Sequence, residues 1–172
     1  MRQIKINSTT GNEILTSQEV KDYVRIDTTS DDNIISAMIT QARIWCENYI
    51  SRDIVGKNRT YYLPTTNGVF DLPFGPVASI STVNVSGTDT TAFEILGLDN
   101  ETIELDGGGA DRVKVTYITT GLNDSLIKQA MLQLISTYYD NRADFESGSS
   151  KEVSEIPTNT KVILTSYKTM FL

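Results

Sequence analysis

From Asn33 to Ile50 the apolar residues Ile34, Ile35, Met38, Ile39, Ala42, Trp45, Cys46 and Tyr49 recur at helical spacing and share one side. They predict a long helix with a core-facing stripe, Trp45 at its centre. Ala37 and Ile44 lie off that stripe beside Gln41 and Asn48, which gives the helix a second, smaller apolar flank. A shorter helix precedes it. Thr16 and Glu19 stand three apart as a capping box, in which each side chain satisfies a backbone donor at the helix start. This helix runs to about Val24, and the turn RIDTTSDD leads to the next, with Ser30 or Asp31 as cap. The acidic pair Asp31 and Asp32 suits the positive end of the helix dipole, which explains it without chemistry.

Between Arg59 and Thr119 the period changes from helix to strand. The stretches RTYYL, GVFDL, SISTVNV, AFEIL, TIEL and RVKVTYI are β-branched and aromatic, and turn clusters such as PTTNG and DGGGAD separate them. A mainly antiparallel sheet of short strands is expected, set in sequence between helices. From Asp124 to Asn141 a second long helix follows. Its apolar arc is wide: Ile127, Met131, Leu134 and Tyr138 make one face, and Leu132, Ile135 and Tyr139 continue around it. Such a helix is either central to its domain or shared with a neighbouring copy. Trp45 is expected to face Met131 and Leu134. Residues 143–157 are rich in serine, glycine and charge and read as a flexible loop, and 158–172 as a short helix and tail ending in Met170, Phe171 and Leu172. An apolar ending of this kind is expected to dock.

The fold class is therefore α+β: a helical bundle core with an inserted sheet. One domain over 1–172 is expected, with a helical part at 15–54, a β part at 59–119, the long helix at 124–142, and the loop and tail after it. A chain of 172 residues can bury about 70% of its unfolded surface, so it needs no disulfide or metal. Cys46, the single cysteine, reads as a small core residue. The first residues are short and polar, unlike a leader, and no apolar run is long enough to cross a bilayer; a soluble protein with no membrane partner is expected.

The chain has no histidine, which removes the commonest general base and metal ligand. Glu101, Glu104 and Asp106 are close in sequence, yet alternation puts Glu104 and Asp106 on the solvent side, opposite Ile103 and Leu105. The glycines at 107–109 lead into a strand through Ala110 and Asp111 and lack the lysine and hydroxyl of a phosphate loop, so a hairpin turn is favoured. No cofactor and no metal are expected. With 15 basic and 22 acidic residues, and a net charge of −7, the chain is a poor DNA binder. It suits a conduit that DNA slides through without sticking, although solubility alone explains the charge equally well.

Four phrases in order carry a resemblance. The first comprises Leu15, Thr16, Glu19, Val20, Lys21, Tyr23, Arg25, Ile26 and Asp27 with the pair Asp31 and Asp32; the second comprises Ala42, Arg43, Cys46, Glu47, Tyr49 and Arg52. The third is LPFGPVASISTV, from Leu72 to Val83, and the fourth runs from Ile127, Lys128, Gln129 and Ala130 to Tyr139, Asn141 and Arg142. Together they resemble the tailed-phage head-to-tail connector, or head-completion, proteins. The turn before the fourth phrase lacks the usual proline, and the C-terminal tail matches no motif.

The resemblance implies a structural virion protein, not an enzyme. It implies an adaptor ring of about twelve copies beneath the portal, since heterologous contacts close into rings. Its partners would be the portal protein, a neck or tail protein and further copies of itself, with DNA passing through the ring without sequence-specific binding. It would be made in the host cytoplasm and reside in the virion neck. Candidate subunit contacts are Ala37, Ile44, Leu132, Ile135 and Tyr139; candidate portal contacts are Tyr167, Met170, Phe171 and Leu172. The alternative is another ring-forming neck component, a stopper or tail terminator, expected to be β-rich without bracketing helices. A carboxylate-dependent enzyme ranks last.

Overall fold

The computed structural model describes residues 1–141 and 157–168. These gather into two compact units, one formed by Met1–Asn12 with Ser51–Leu122 and the other by Glu13–Ile50 with the described residues of 123–168. The α+β class holds, with helix and strand in nearly equal measure.

The second unit is helical. Its first helix, α1 (Ser17–Val24), opens with the Thr16–Glu19 capping box and stops where Arg25 turns left-handed at φ 60°. Helix α2 (Asp32–Ile50) buries Ile35, Met38, Ile39, Ala42 and Cys46, and α3 (Ser125–Asp140) buries Ile127, Met131, Leu134 and Ile135. Helix α4 (Thr158–Thr165) packs on α3 and α2 through Leu164. The expected core stripe of α2 is shifted. Ile34 is exposed and Trp45 is only half-buried, its ring stacked on Tyr49 at 5.2 Å, while Arg43 and Glu47 occupy the buried side. Trp45 is thus not the centre of the helix pairing. Arg43 lies inside because its guanidinium is partnered twice, by Glu47 at 2.9 Å and Glu13 at 2.8 Å. A buried charge is tolerated only when paired in this way.

The first unit is all β and holds two sheets where the sequence led us to expect one. The larger has the order β1-β2-β8-β4-β5, formed by Gln3–Thr9, Lys57–Thr66, Ala110–Thr119, Val77–Val85 and Thr88–Thr90; the smaller is β3-β7-β6, formed by Val69–Asp71, Thr102–Leu105 and Phe93–Leu96. Every pairing between these strands is antiparallel. Strand β1 was not foreseen. It lies at an edge with all seven residues exposed, so it carries no burial signal to read. The DGGGAD segment is not a hairpin turn, because β7 and β8 belong to different sheets. Gly108, at φ 74°, carries the chain from one sheet to the other, and its backbone leaves no room for a Cβ on Gly68. Tyr61, Leu63, Phe70, Val83, Ile103 and Val115 are central in the apolar core of this unit.

Candidate functional site

Residue by residue, the described molecule offers surfaces more than a reaction centre. No group of three or more acidic, histidine or cysteine side chains among the described residues is placed to hold a metal, and no described helix is long and apolar enough to cross a membrane. Burial, with a smaller contribution from Glu47, pushes the Cys46 thiol up to about 12, far from the reactive range. Ile103 and Leu105 point inward while Glu104 and Asp106 are exposed. Glu101 is instead taken up by Arg52, at 2.9 Å, which also reaches Asp99 at 3.2 Å.

The most distinctive surface lies on α2. Its exposed positions are Asn33, Ile34, Ser36, Ala37, Gln41, Ile44 and Asn48, and none is charged. Ile34 and Ile44 are 43% and 46% exposed, so close to half of each isoleucine lies open to solvent. The helix has only three charged residues; Arg43 and Glu47 are buried and Asp32 is half-buried against Lys21, with the pair 2.6 Å apart. Ala37 and Ile44 thus stand where the sequence led us to expect an open flank. Ile34 extends it, a residue that the periodicity had assigned to the core.

The candidates on α3 are placed differently. Ile135 is 0% exposed and fills the core of its own chain, so it has no area to give to a neighbour. Leu132 and Tyr139 are half-buried, and the Tyr139 hydroxyl donates to Asp31 at 2.6 Å. Of the tail candidates, Tyr167 is half-buried and donates to Asp124 at 2.7 Å. That bond, together with the Leu126 backbone N–H, holds the Asp124 carboxyl below its ordinary value. Met170, Phe171 and Leu172 lie outside the described residues.

Two features of the first unit were missed. The Asp53 carboxylate is fully buried and accepts from Lys57 at 2.9 Å, Arg59 at 2.7 and 2.6 Å and the Thr119 hydroxyl at 2.8 Å. Burial alone would raise its pKa, but the two cations outweigh that and hold it below the usual carboxylate range. Arg59 also lies over the Phe74 ring at 3.9 Å. The second feature is charge. Between Thr60 and Asp111 the chain has eight acidic residues and no basic one, and all but Glu101 are exposed.

A shallow groove of about 840 Å³ runs past Arg2, Ile4, Tyr61, Leu63, Phe70 and Asp71, and Asp71 is the one carboxylate in its lining. Against this background the comparisons with known proteins are decisive. The family model for head completion proteins matches residues 13–170. The chain belongs to the head completion protein family. No curated protein sequence matches it. Among solved structures, a chain in the neck of an empty gene transfer agent (GTA) particle, computed with C6 symmetry, superposes with a TM-score of 0.74 at 16% identity, covering 99% of this chain and 97% of that one. A chain in the virion of a native gene transfer agent particle gives 0.69 at 15% identity over 98% and 96%. One in the neck of the native particle, computed with C12 symmetry, gives 0.68 at 16% over 99% and 97%. At this identity the likeness is one of fold, and it includes β1, which the family match leaves out. Like its family, the protein is a structural head completion protein, not an enzyme.

Proposed function

We propose that the protein is the head-to-tail adaptor of a phage-like particle, a ring in the virion neck that joins the DNA-filled head to the neck or tail. The observation that carries the ring is the uncharged exposed face of α2. Charged residues are depleted at the centre of protein interfaces, and a 19-residue helix that buries Arg43 and Glu47 and pairs Asp32 with Lys21 while leaving isoleucines out fits a face covered in the assembly. Family membership supplies the setting, and the fold relatives come from necks computed with sixfold and twelvefold symmetry. The twelvefold neck favours a ring of about twelve copies, with both units serving as one connector domain over residues 1–172. The stopper and terminator alternative is disfavoured by the nearly equal helix and strand content and by helices on both sides of the β segment.

Ala37 and Ile44, joined by Ile34, are the proposed contacts between copies. Leu132 and Tyr139 contribute at most their half-exposed parts, and Ile135 supports them from within. The exposed acids of residues 60–111 suit a surface near DNA that must not hold it. The tail, with Met170, Phe171 and Leu172, is proposed to reach the portal. Native mass spectrometry of the protein mixed with its portal tests the ring, which should give one mass equal to a portal plus about twelve copies. A single bound copy per portal contradicts it. For the tail, deletion of residues 169–172 keeps the Tyr167–Asp124 bond and should leave the melting temperature unchanged while abolishing portal binding. Undiminished binding would remove the tail from the docking surface.

A further inference from the structure

The larger sheet is open on both sides, and its two free edges differ. At one edge β1 exposes all seven residues and carries Lys5, with Arg2 just before it and no acid. At the other edge β5 spans only Thr88–Thr90, pairing with Val83–Val85. Beyond it, among the described residues, no strand of the sheet flanks β4 over Ala78–Thr82, where Ala78, Ser79, Ser81 and Thr82 are exposed and small. Free edges attract further strands, and although the register of β4 on β8 shifts between Val77 and Ser79 and between Ile80 and Thr82, its outer side over this stretch has no strand partner among the described residues.

We infer that β1 of one copy adds to the free edge of β4, over Ala78–Thr82, in the next copy, so that the sheets run on from subunit to subunit. This rests on the ring reading and deepens it by naming a contact separate from the α2 face. Three observations favour a second copy as the occupant. Direction is the first: successive antiparallel pairings from β1 through β2 and β8 to β4 leave β4 opposed to β1. A neighbour in the same orientation therefore presents its β1 antiparallel to β4, the commoner and slightly stronger pairing.

Charge is the second. Gln3 lies opposite Tyr62, Tyr62 opposite Lys114, Lys114 opposite Asn84 and Asn84 opposite Asp89, so Asp89 shares a face of the sheet with Gln3 and with Lys5 two residues on. Continuing the sheet brings Lys5 of one copy to the same face as Asp89 of the next, and Arg2 and Lys5 meet a stretch with no base. The third is the failure of the rival pairing. Two β1 edges joined about a twofold axis would set the basic residues of both strands against each other, and like charges across a strand pair are unfavourable. That arrangement also stops at a dimer, whereas the head-to-tail contact closes a ring.

Cysteine pairing tests it directly. Cys46 is fully buried, so new exposed cysteines report alone. The double variants Lys5→Cys with Ser79→Cys and Lys5→Cys with Ser81→Cys bracket the register, and a strand pair sets cysteines within disulfide reach. Oxidised on the full protein, alone at high concentration and mixed with portal, at least one double variant should give a ladder of cross-linked multimers. Each single variant should give none. Dimers from Lys5→Cys alone would establish the twofold pairing and overturn the proposal. Rings seen by electron microscopy without any cross-linked ladder would also overturn it while leaving the ring intact; absence of any ring would remove both. Independently, Lys5→Glu, which sets an acid against the base-free stretch of the next copy, should weaken assembly at least about tenfold. No loss from Lys5→Glu speaks against the contact.

Discussion

The outward face of α2 and the exposed surface of residues 60–111 are opposites. The helix presents seven open residues without a charge; the strands and turns present seven acids without a base. A protein kept in solution by charge has no reason to spread it so unevenly. On the proposed reading the difference divides two jobs: contact is made on the uncharged face and avoided on the acidic one. Inside the molecule the contrast disappears, since α2 hides Arg43 and Glu47 and the β unit hides Asp53 with its two cations.

The largest expected effect comes from that hidden cluster. Asp53→Ala leaves Lys57 and Arg59 buried without their carboxylate and should cost about 3 to 5 kcal/mol in urea unfolding. Its pH dependence follows from the depressed pKa. The folded value lies below the unfolded one, about 3.9. The contribution is therefore fully present above that range and is lost as pH falls through the folded value. Acid unfolding of Asp53→Asn should lack this step. If Asp53→Ala proves neutral, the cluster does not hold the β unit.

Next is Trp45→Ala, for which a half-buried ring stacked on Tyr49 implies a cost of about 1 to 2 kcal/mol. A loss above about 3 kcal/mol would return Trp45 to the centre of the core, where periodicity had put it. Ile44→Asp separates folding from assembly. It should change stability by less than about 0.5 kcal/mol, as exposed substitutions do, and weaken assembly by at least tenfold, about 1.4 kcal/mol, in sedimentation with portal. Asp106→Lys, in the acidic surface, should change both by less than about 0.5 kcal/mol, and a strong assembly defect there would erase the distinction between the two surfaces.

Helices were legible because their caps and periods are local. The Thr16–Glu19 box and the Ile35, Met38, Ala42 spacing say where a helix begins and which side is wet, and Ala37 and Ile44 could be set apart from the core on that basis alone. Three things were not legible, each for a physical reason. Arg43 and Glu47 look like a wet i,i+4 pair until Glu13, distant in sequence, closes over them. The Asp53 cluster joins residues 66 positions apart, and no spacing rule reaches that far. Strand β1 buries nothing, so Ile4 and Ile6 alternate without a core to give the alternation meaning. The split into two sheets was hidden for a related reason: a glycine turn between sheets and one within a hairpin use the same residues.

The central claim is that copies meet across the uncharged face of α2. A cryo-electron microscopy map of the protein assembled on its portal tests this most directly, because side chains at positions 34, 37 and 44 would be seen either against a neighbour or against solvent. The account predicts a closed ring in which Ile34, Ala37 and Ile44 are covered by the adjacent copy while Glu94, Glu104 and Asp106 stay uncovered. A ring in which those isoleucines face solvent and the acidic residues form the contact would contradict it.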